Sequence, residues 1–575
     1  MVNQALPEYD YIFAITMLFA FLDAWNIGAN DVANSFATSV SSRSLTLIQA
    51  MMVATVMEFA GALLVGARVA DTIRSKIVKV DLFQDQPAVL MLGMMCALIG
   101  SSTWLTVATS IGLPVSTTHC IVGGIIGMGI ATVGTDGVAW GWDGKGVAQI
   151  FASWLIAPAL AGSFAAIIFS ITKYGVLKRS NPLKWGMVMV PVYFGITSGI
   201  LTMLIVWKGA ASLNLSGWNT GKVVGTILGV AFGVMAITVT FFLPYVYRKL
   251  VKNDWSLRWY HIFMGPLLLR RGPVEESHGT SHTQIVQDYY RGHATREDLE
   301  AANTKASTNN PGTKNPELEG VSSASRDSDE MAAAKQTVQT NSKSLDEVEK
   351  TDVGPWYIPK NLSKIVIDAF MHGVRVDVIA EQSRESKLSG DLVGMHARAA
   401  HFDNKTEHLY SFLQILTAAT SSFAHGANDV ANATGPLATV FLVWSTNDIR
   451  KKPEVPLWIL AYGGAGIVIG LWTYGYNIMR NLGNRLTLHS PSRGFSMELG
   501  SAVTVVLATR LSLPVSTTQC IVGATMGVAF CNGDLKALNW RMVGWCYGGW
   551  IFTLPIAGII SGCLMAIIIN APRWN

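Results

Sequence analysis

The sequence predicts an all-α polytopic membrane protein of about twelve transmembrane helices, some broken or re-entrant, around a large central cytoplasmic loop. Three observations carry this. First, the 575 residues are 50% hydrophobic with a mean hydropathy of +0.35, and only 14% are charged, against roughly a quarter in soluble domains. Second, of the 43 Lys and Arg and 38 Asp and Glu, 39 fall between residues 251 and 400. Two apolar blocks, 1–250 and 401–575, therefore flank one hydrophilic insert, 251–400. Third, two polar motifs in the first block recur in the second. The 54 Gly and 18 Trp fit this class, because Gly lets helices approach closely and Trp favours the headgroup level. The net charge of +5 is scattered through loops rather than gathered in a stripe, which excludes a nucleic-acid partner. Six cysteines without CxxC or CxxxC spacing read as buried thiols.

The first apolar run starts near Tyr11, behind Glu8 and Asp10 rather than behind basic residues, so it reads as a first spanning helix and not a cleaved signal peptide. A window of about 20 residues then marks spans near 47–66, 88–110, 120–134, 147–170, 186–207 and 222–247 before the insert. After it come 409–424, 432–446, 456–475, 497–511, 517–532 and 544–570. Breaks at Gly28, Pro114, Gly426 and Pro514 predict half-helices that share a crossing. Lys173, Lys178, Arg179 and Lys184, and then Arg248, Lys249 and Lys252, assign their loops to the cytoplasm. The loop 208–221 is thereby external, and its Asn214-Leu215-Ser216 is a glycosylation sequon in the right compartment. Ser, Asn, Thr, Glu and Lys dominate Arg271 to Gly354, a composition that predicts disorder.

GANDVAN occurs at Gly28–Asn34 and again at Gly426–Asn432. ATSIGLPVSTTHCIVG at 108–123 returns as ATRLSLPVSTTQCIVG at 508–523, with twelve of sixteen positions identical. Two motifs in the same order at almost the same offset indicate duplicated halves, each bringing a matching piece of one site. An Asp and two Asn in hydrocarbon cost several kcal/mol unless coordinated. The oxygens of Asn30, Asp31 and Asn34, and of Asn428, Asp429 and Asn432, suit a hard dehydrated cation such as Na⁺, with Asp31 and Asp429 as the charged ligands and Gly28 or Gly426 unwinding to lend carbonyls. In the PVSTT motifs, Ser116, Thr117 and Thr118, and Ser516, Thr517 and Thr518, follow a proline and open a new helix, where hydroxyls and free N–H groups form an oxyanion cradle. Glu58 and Glu498 are isolated acids within spans, which points to a cation or coupling role; Asp23 is a third. His425 precedes the second GANDVAN, and His119 follows the first PVSTT where the second has Gln519.

With these motifs the chain resembles the inorganic phosphate transporter (PiT) family, over both apolar blocks, and is most similar to its fungal high-affinity sodium/phosphate symporters. The resemblance implies two inverted repeats with phosphate near the midplane between re-entrant segments and Na⁺ beside it. It implies phosphate binding by Ser116, Thr117, Thr118, Ser516, Thr517 and Thr518 with Asn34 and Asn432, and sodium binding or coupling by Asn30, Asp31, Asn428, Asp429, Glu58, Glu498 and His425. Met94 stands where animal members carry a Glu. A sodium-coupled phosphate symporter of the plasma membrane follows, taking phosphate into the cell by alternating access, with no cofactor and no enzymatic activity. Its partners are phosphate, Na⁺ and membrane lipid, and a homodimer is admitted. The alternatives are a proton-coupled permease and a phosphate-sensing transporter-receptor signalling through the 251–400 loop.

Overall fold

The computed structural model describes residues 5–67, 70, 77–142, 146–207, 217–254, 256–272, 286–301, 361, 364, 368, 373–384, 386–449, 455–510 and 515–571. Asn214, Pro514 and most of the segment expected to be disordered lie outside them. Among the described residues are twelve long helices: α1 (Asp10–Ser41), α2 (Leu47–Val65), α3 (Pro87–Ser110), α4 (Thr117–Val133), α5 (Val147–Thr172), α6 (Pro182–Trp207), α7 (Thr220–Ile237), α8 (Asn404–Thr446), α9 (Leu457–Tyr474), α10 (Pro491–Arg510), α11 (Thr517–Phe530) and α12 (Trp540–Asn570). Eight are long and apolar enough to cross a membrane, α5 and α7 counted with their continuations to Leu177 and Val251. The other four fall outside that criterion for two reasons. α4 and α11 have 17 and 14 residues, too few for a hydrocarbon core about 30 Å thick. α8 and α10 are rich in polar side chains that the surrounding helices bury.

The two blocks repeat one packing scheme. α1 packs on α9 as α8 packs on α2, α4 on α12 as α11 on α5, and α1 on α3 as α8 on α10. This matches α1 to α8 and each following helix of α2–α5 to one of α9–α12, and it leaves α6 and α7 as a hairpin outside the repeat. Hydrogen bonds fix the relative direction of the halves. The backbone N–H of Leu6 donates to Trp444 O (3.2 Å) and Trp444 Nε1 to Asp10 Oδ1 (2.8 Å), so the start of α1 meets the end of α8. At the other end Ser42 Oγ donates to Gln414 Oε1 (2.7 Å). Equivalent helices that run antiparallel make the repeats inverted.

Gly28 and Gly426 do not unwind, contrary to the sequence reading. α1 and α8 run unbroken through them, and the two predicted spans 409–424 and 432–446 are one helix of 43 residues. Each glycine instead permits a close crossing. A Cβ at Gly28 would collide with the Ile467 carbonyl of α9, and one at Gly426 with the Glu58 carbonyl of α2. The chain does break after α3, where Gly112 adopts φ +72° and residues 113–116 lie outside any helix before α4 begins.

The described residues of the 251–400 insert pack against the second apolar block. Tyr289 and Tyr290 are buried, and Tyr290 OH donates to Glu407 Oε1 at the start of α8 (2.8 Å). His396 Nε2 lies 2.7 Å from the Asn484 carbonyl, to which it donates. Its Nδ1 is then the acceptor for His293 Nδ1, 3.0 Å away. Burial pushes His293 down to about 2 and His396 down to about 4, with His396 adding to the effect at His293. A lowered imidazole value means that the folded state favours the neutral ring. This contribution is complete above the ordinary value of about 6.5 and is lost as pH falls from there towards the lowered values. Hydrogen exchange at 286–293, corrected for its intrinsic pH dependence, is expected to lose protection between about pH 6.5 and 4.5. Constant protection across that window would contradict the assignment.

Candidate functional site

Inversion brings the middles of α1 and α8 side by side and aims the N-termini of α4 and α11 at them. Ser116 and Ser516 cap these two helices, each Oγ accepting the backbone N–H three residues on, from His119 and Gln519 (both 3.3 Å). The next two residues of each helix face the aspartates reciprocally. Thr117 Oγ1 donates to Asp31 Oδ2 (2.9 Å) and Thr517 Oγ1 to Asp429 Oδ2 (2.8 Å), within each half. Thr518 Oγ1 donates across to Asp31 Oδ1 (3.2 Å), and Thr118 Oγ1 across to Asp429 Oδ1 (3.4 Å). Asn34 Nδ2 donates to Thr518 Oγ1 (2.9 Å), and Asn432 Nδ2 to Thr117 Oγ1 (3.1 Å) and Thr118 Oγ1 (3.3 Å). Each half thus completes the other, and all ten side chains of this network are buried.

Histidine and a third acid close one side. His425 Nδ1 is 2.7 Å from Glu58 Oε2, whose other oxygen accepts from Ser422 Oγ (2.9 Å). His425 Nε2 lies 3.1 Å from Asp429 Oδ2 and 3.6 Å from Asp31 Oδ2 without hydrogen-bond alignment to either. Ligand atoms of Asp31, His425 and Asp429 all lie within 4.8 Å of one another. Among the described residues no Lys or Arg pairs with these carboxylates; the ion pairs they make are to His425.

Hard oxygens around a point this small, with an imidazole nitrogen and the free Asn34 Oδ1 beside them, are a fitting donor set for a dehydrated monovalent cation. The two helix N-termini and four threonine hydroxyls are a fitting set for an oxyanion. In this arrangement those hydroxyls are spent on the aspartates, so an anion can claim them only when something else neutralises Asp31 and Asp429.

Not every expected residue lies in this cluster. Asn30 has both ends of its amide engaged with the α3–α4 link: Nδ2 donates to Thr109 Oγ1 (3.0 Å) and Leu113 O (3.1 Å), and Oδ1 accepts from Val115 N (3.1 Å). Asn428 Nδ2 reaches Asp429 Oδ1 (2.7 Å) and Val515 O (3.3 Å). Asn30 thus fastens the α3–α4 link, while Asn428 ties the central Asp429 to Val515, just before the Ser516 cap. Glu498 stands apart, accepting from Thr38 (2.5 Å), Ser39 (2.7 Å), Gln414 (3.1 Å) and Thr417 (2.5 Å). These four donors escaped the sequence reading. Their signal was hydroxyls and an amide recurring in helices that also carry the GANDVAN motifs.

A model of the phosphate transporter family matches residues 27–561 of the chain. The chain is 54% identical over 595 residues to the phosphate-repressible phosphate permease pho-4 of Neurospora crassa, with the whole of both chains covered. It is 31% identical over 671 residues to sodium-dependent phosphate transporter 1 of Rattus norvegicus, covering 98% of this chain and 96% of that one. A solved structure described as the sodium-dependent phosphate transporter shares 26% identity and a TM-score of 0.63, covering 98% of this chain and 100% of that one.

Proposed function

The chain belongs to the phosphate transporter family, and from the charge at its centre we propose that it is a sodium-coupled symporter that carries inorganic phosphate inward across the plasma membrane. The observation that carries this reading is the commitment of Thr117, Thr118, Thr517 and Thr518 to Asp31 and Asp429. A phosphate anion brought against two carboxylates with no Lys or Arg is repelled. Na⁺ held by Asp31, Asp429 and the neighbouring oxygens removes that repulsion and frees the hydroxyls to donate to phosphate oxygens. Ser116 and Ser516 retain their own O–H groups for the same anion, and Asn34 and Asn432 supply amide donors.

Binding is therefore ordered, sodium before phosphate. The inverted halves supply alternating access, since exchanging their conformations turns a centre open to one side into one open to the other. Two Na⁺ with one monovalent phosphate would carry one net positive charge, driven inward by roughly 2.3 kcal/mol per 100 mV of inside-negative potential. Sodium dependence of the rat relative, by its name, supports the same coupling.

Replacing external Na⁺ with choline at fixed pH is expected to abolish most uptake of ³²P-phosphate into vesicles containing the purified chain. Unchanged uptake would overturn the sodium reading in favour of proton coupling, for which Glu58 and His425 offer a shared proton site.

A further inference from the structure

One acid takes no part in the centre described above. Asp23 lies on α1 five residues before the GANDVAN motif and is wholly buried. Its Oδ1 accepts from Ser101 Oγ of α3 (2.7 Å), while its Oδ2 is buried without any hydrogen-bond partner. Among the described residues no Lys, Arg or His pairs with it.

A turn further on, Asn26 is equally buried. Its Nδ2 donates to Leu22 O (2.9 Å), Thr106 Oγ1 (2.9 Å) and Ser102 O (3.3 Å), so its side chain is pinned in the same α1–α3 seam, and its Oδ1 is also without a partner. Asp23, Asn26 and Asn30 follow the spacing i, i+3, i+7, which puts them on one face of α1. Each meets a hydroxyl of α3: Ser101, Thr106 and Thr109 in turn. The seam is thus a polar ladder that descends to the centre, with two unclaimed oxygens at its upper rungs. The second half has no counterpart, since Ser421 occupies the equivalent place in α8.

A buried carboxylate in a spanning helix is costly without a cation or a full set of donors, and here one oxygen has neither. We propose that Asp23 Oδ2, Asn26 Oδ1 and the Ser101 hydroxyl form an additional monovalent-cation site, a station for Na⁺ about 12 Å along α1 from Asp31. Asp23 lies on the half of α1 that leads to the end of α8, opposite the end where Ser41 Oγ donates to Gln382 Oε1 of the insert. A cation arriving from that side would reach Asp23 before Asp31 and Asp429. Rising Na⁺ would fill this station and load the centre, so Asp23 sets the sodium concentration at which transport starts. The inference rests on the sodium coupling proposed above.

The test compares the full chain with Asp23→Asn, which keeps the shape and the Ser101 contact, and with Ser101→Ala. Phosphate uptake into vesicles is measured against Na⁺ at fixed pH, and against pH at fixed Na⁺. The sodium-induced rise in melting temperature of the purified protein is read without phosphate. Asp23→Asn should raise the half-activating Na⁺ about tenfold or more and shrink the thermal shift, with a smaller change in Ser101→Ala. Sodium-dependent uptake with unaltered Na⁺ activation in Asp23→Asn overturns the site and leaves the coupling reading standing. A changed pH profile with unaltered Na⁺ activation overturns it in favour of a proton site. Sodium-independent uptake by the unmodified chain overturns both readings. If Asp23→Asn does not fold, Ser101→Ala decides, and normal Na⁺ activation and thermal shift in that variant count against the site.

Discussion

Asp31→Asn and Asp429→Asn are each expected to reduce phosphate uptake roughly a hundredfold or more, with normal amounts of protein in the membrane. The substitution is nearly isosteric, so the helix crossing at Gly28 and Gly426 should survive. What it removes is the negative charge that would hold Na⁺, together with one of the two oxygens that accept threonine hydroxyls, from Thr117 and Thr518 at Asp31 or from Thr517 and Thr118 at Asp429. Hydrogen bonds to charged groups are worth about 1.5–3 kcal/mol each, and a loss near 3 kcal/mol is about two orders of magnitude in rate. Because each aspartate accepts from both halves, the variants should fail alike, and the double variant should cost little more than either alone. Uptake and surface protein measured on the same cells check this. Near-normal kinetics in either variant would remove the aspartates from the site.

The features that made the aspartates visible in the sequence were local ones. GANDVAN and PVSTT place polar side chains where hydrocarbon packing tolerates them least, and their repetition implies two pieces of one site. The pairing between the pieces was not legible, because it depends on α1 and α8 running antiparallel. Only that arrangement lets Thr518 reach Asp31 and Thr118 reach Asp429. The glycines misled for a related reason. A glycine in a helix signals either unwinding or close approach, and the carbonyls of Ile467 and Glu58 that decide between them come from helices more than three hundred residues away in sequence.

Span boundaries were legible wherever apolarity alone marks a helix, as in α2, α3 and α5. They failed in α8, where His425, Asn428, Asp429 and Asn432 interrupt the hydropathy signal of a continuous helix. Asn30 was expected at the cation, and its amide is bonded to the α3–α4 link; composition cannot tell an amide aimed at an ion from one that fastens a turn. Glu58 and Glu498 looked equivalent for the same reason. Burial in a span marks both, and only the neighbours separate them.

Those neighbours predict different behaviour for the two glutamates. Glu58 holds His425 Nδ1 and so orients Nε2 towards Asp31 and Asp429. If Nδ1 carries the proton, the Nε2 lone pair faces two carboxylates, an arrangement that is stable only with a proton or a metal cation between them. Glu58→Gln keeps an acceptor for Nδ1 but withdraws the charge, and uptake is expected to fall roughly ten- to a hundredfold. His425→Asn should fall by a similar factor, and the double variant should be no worse than the poorer single, because both act through one hydrogen bond. Glu498 is bonded by four donors from α1 and α8 and touches none of these groups. Glu498→Gln combined with Glu58→Gln should therefore multiply the two losses. Uptake rates for these five variants form two double-mutant cycles. Independent effects of Glu58 and His425, or strong coupling of Glu58 to Glu498, would show that the charge at the centre is wired differently from the contacts seen around His425.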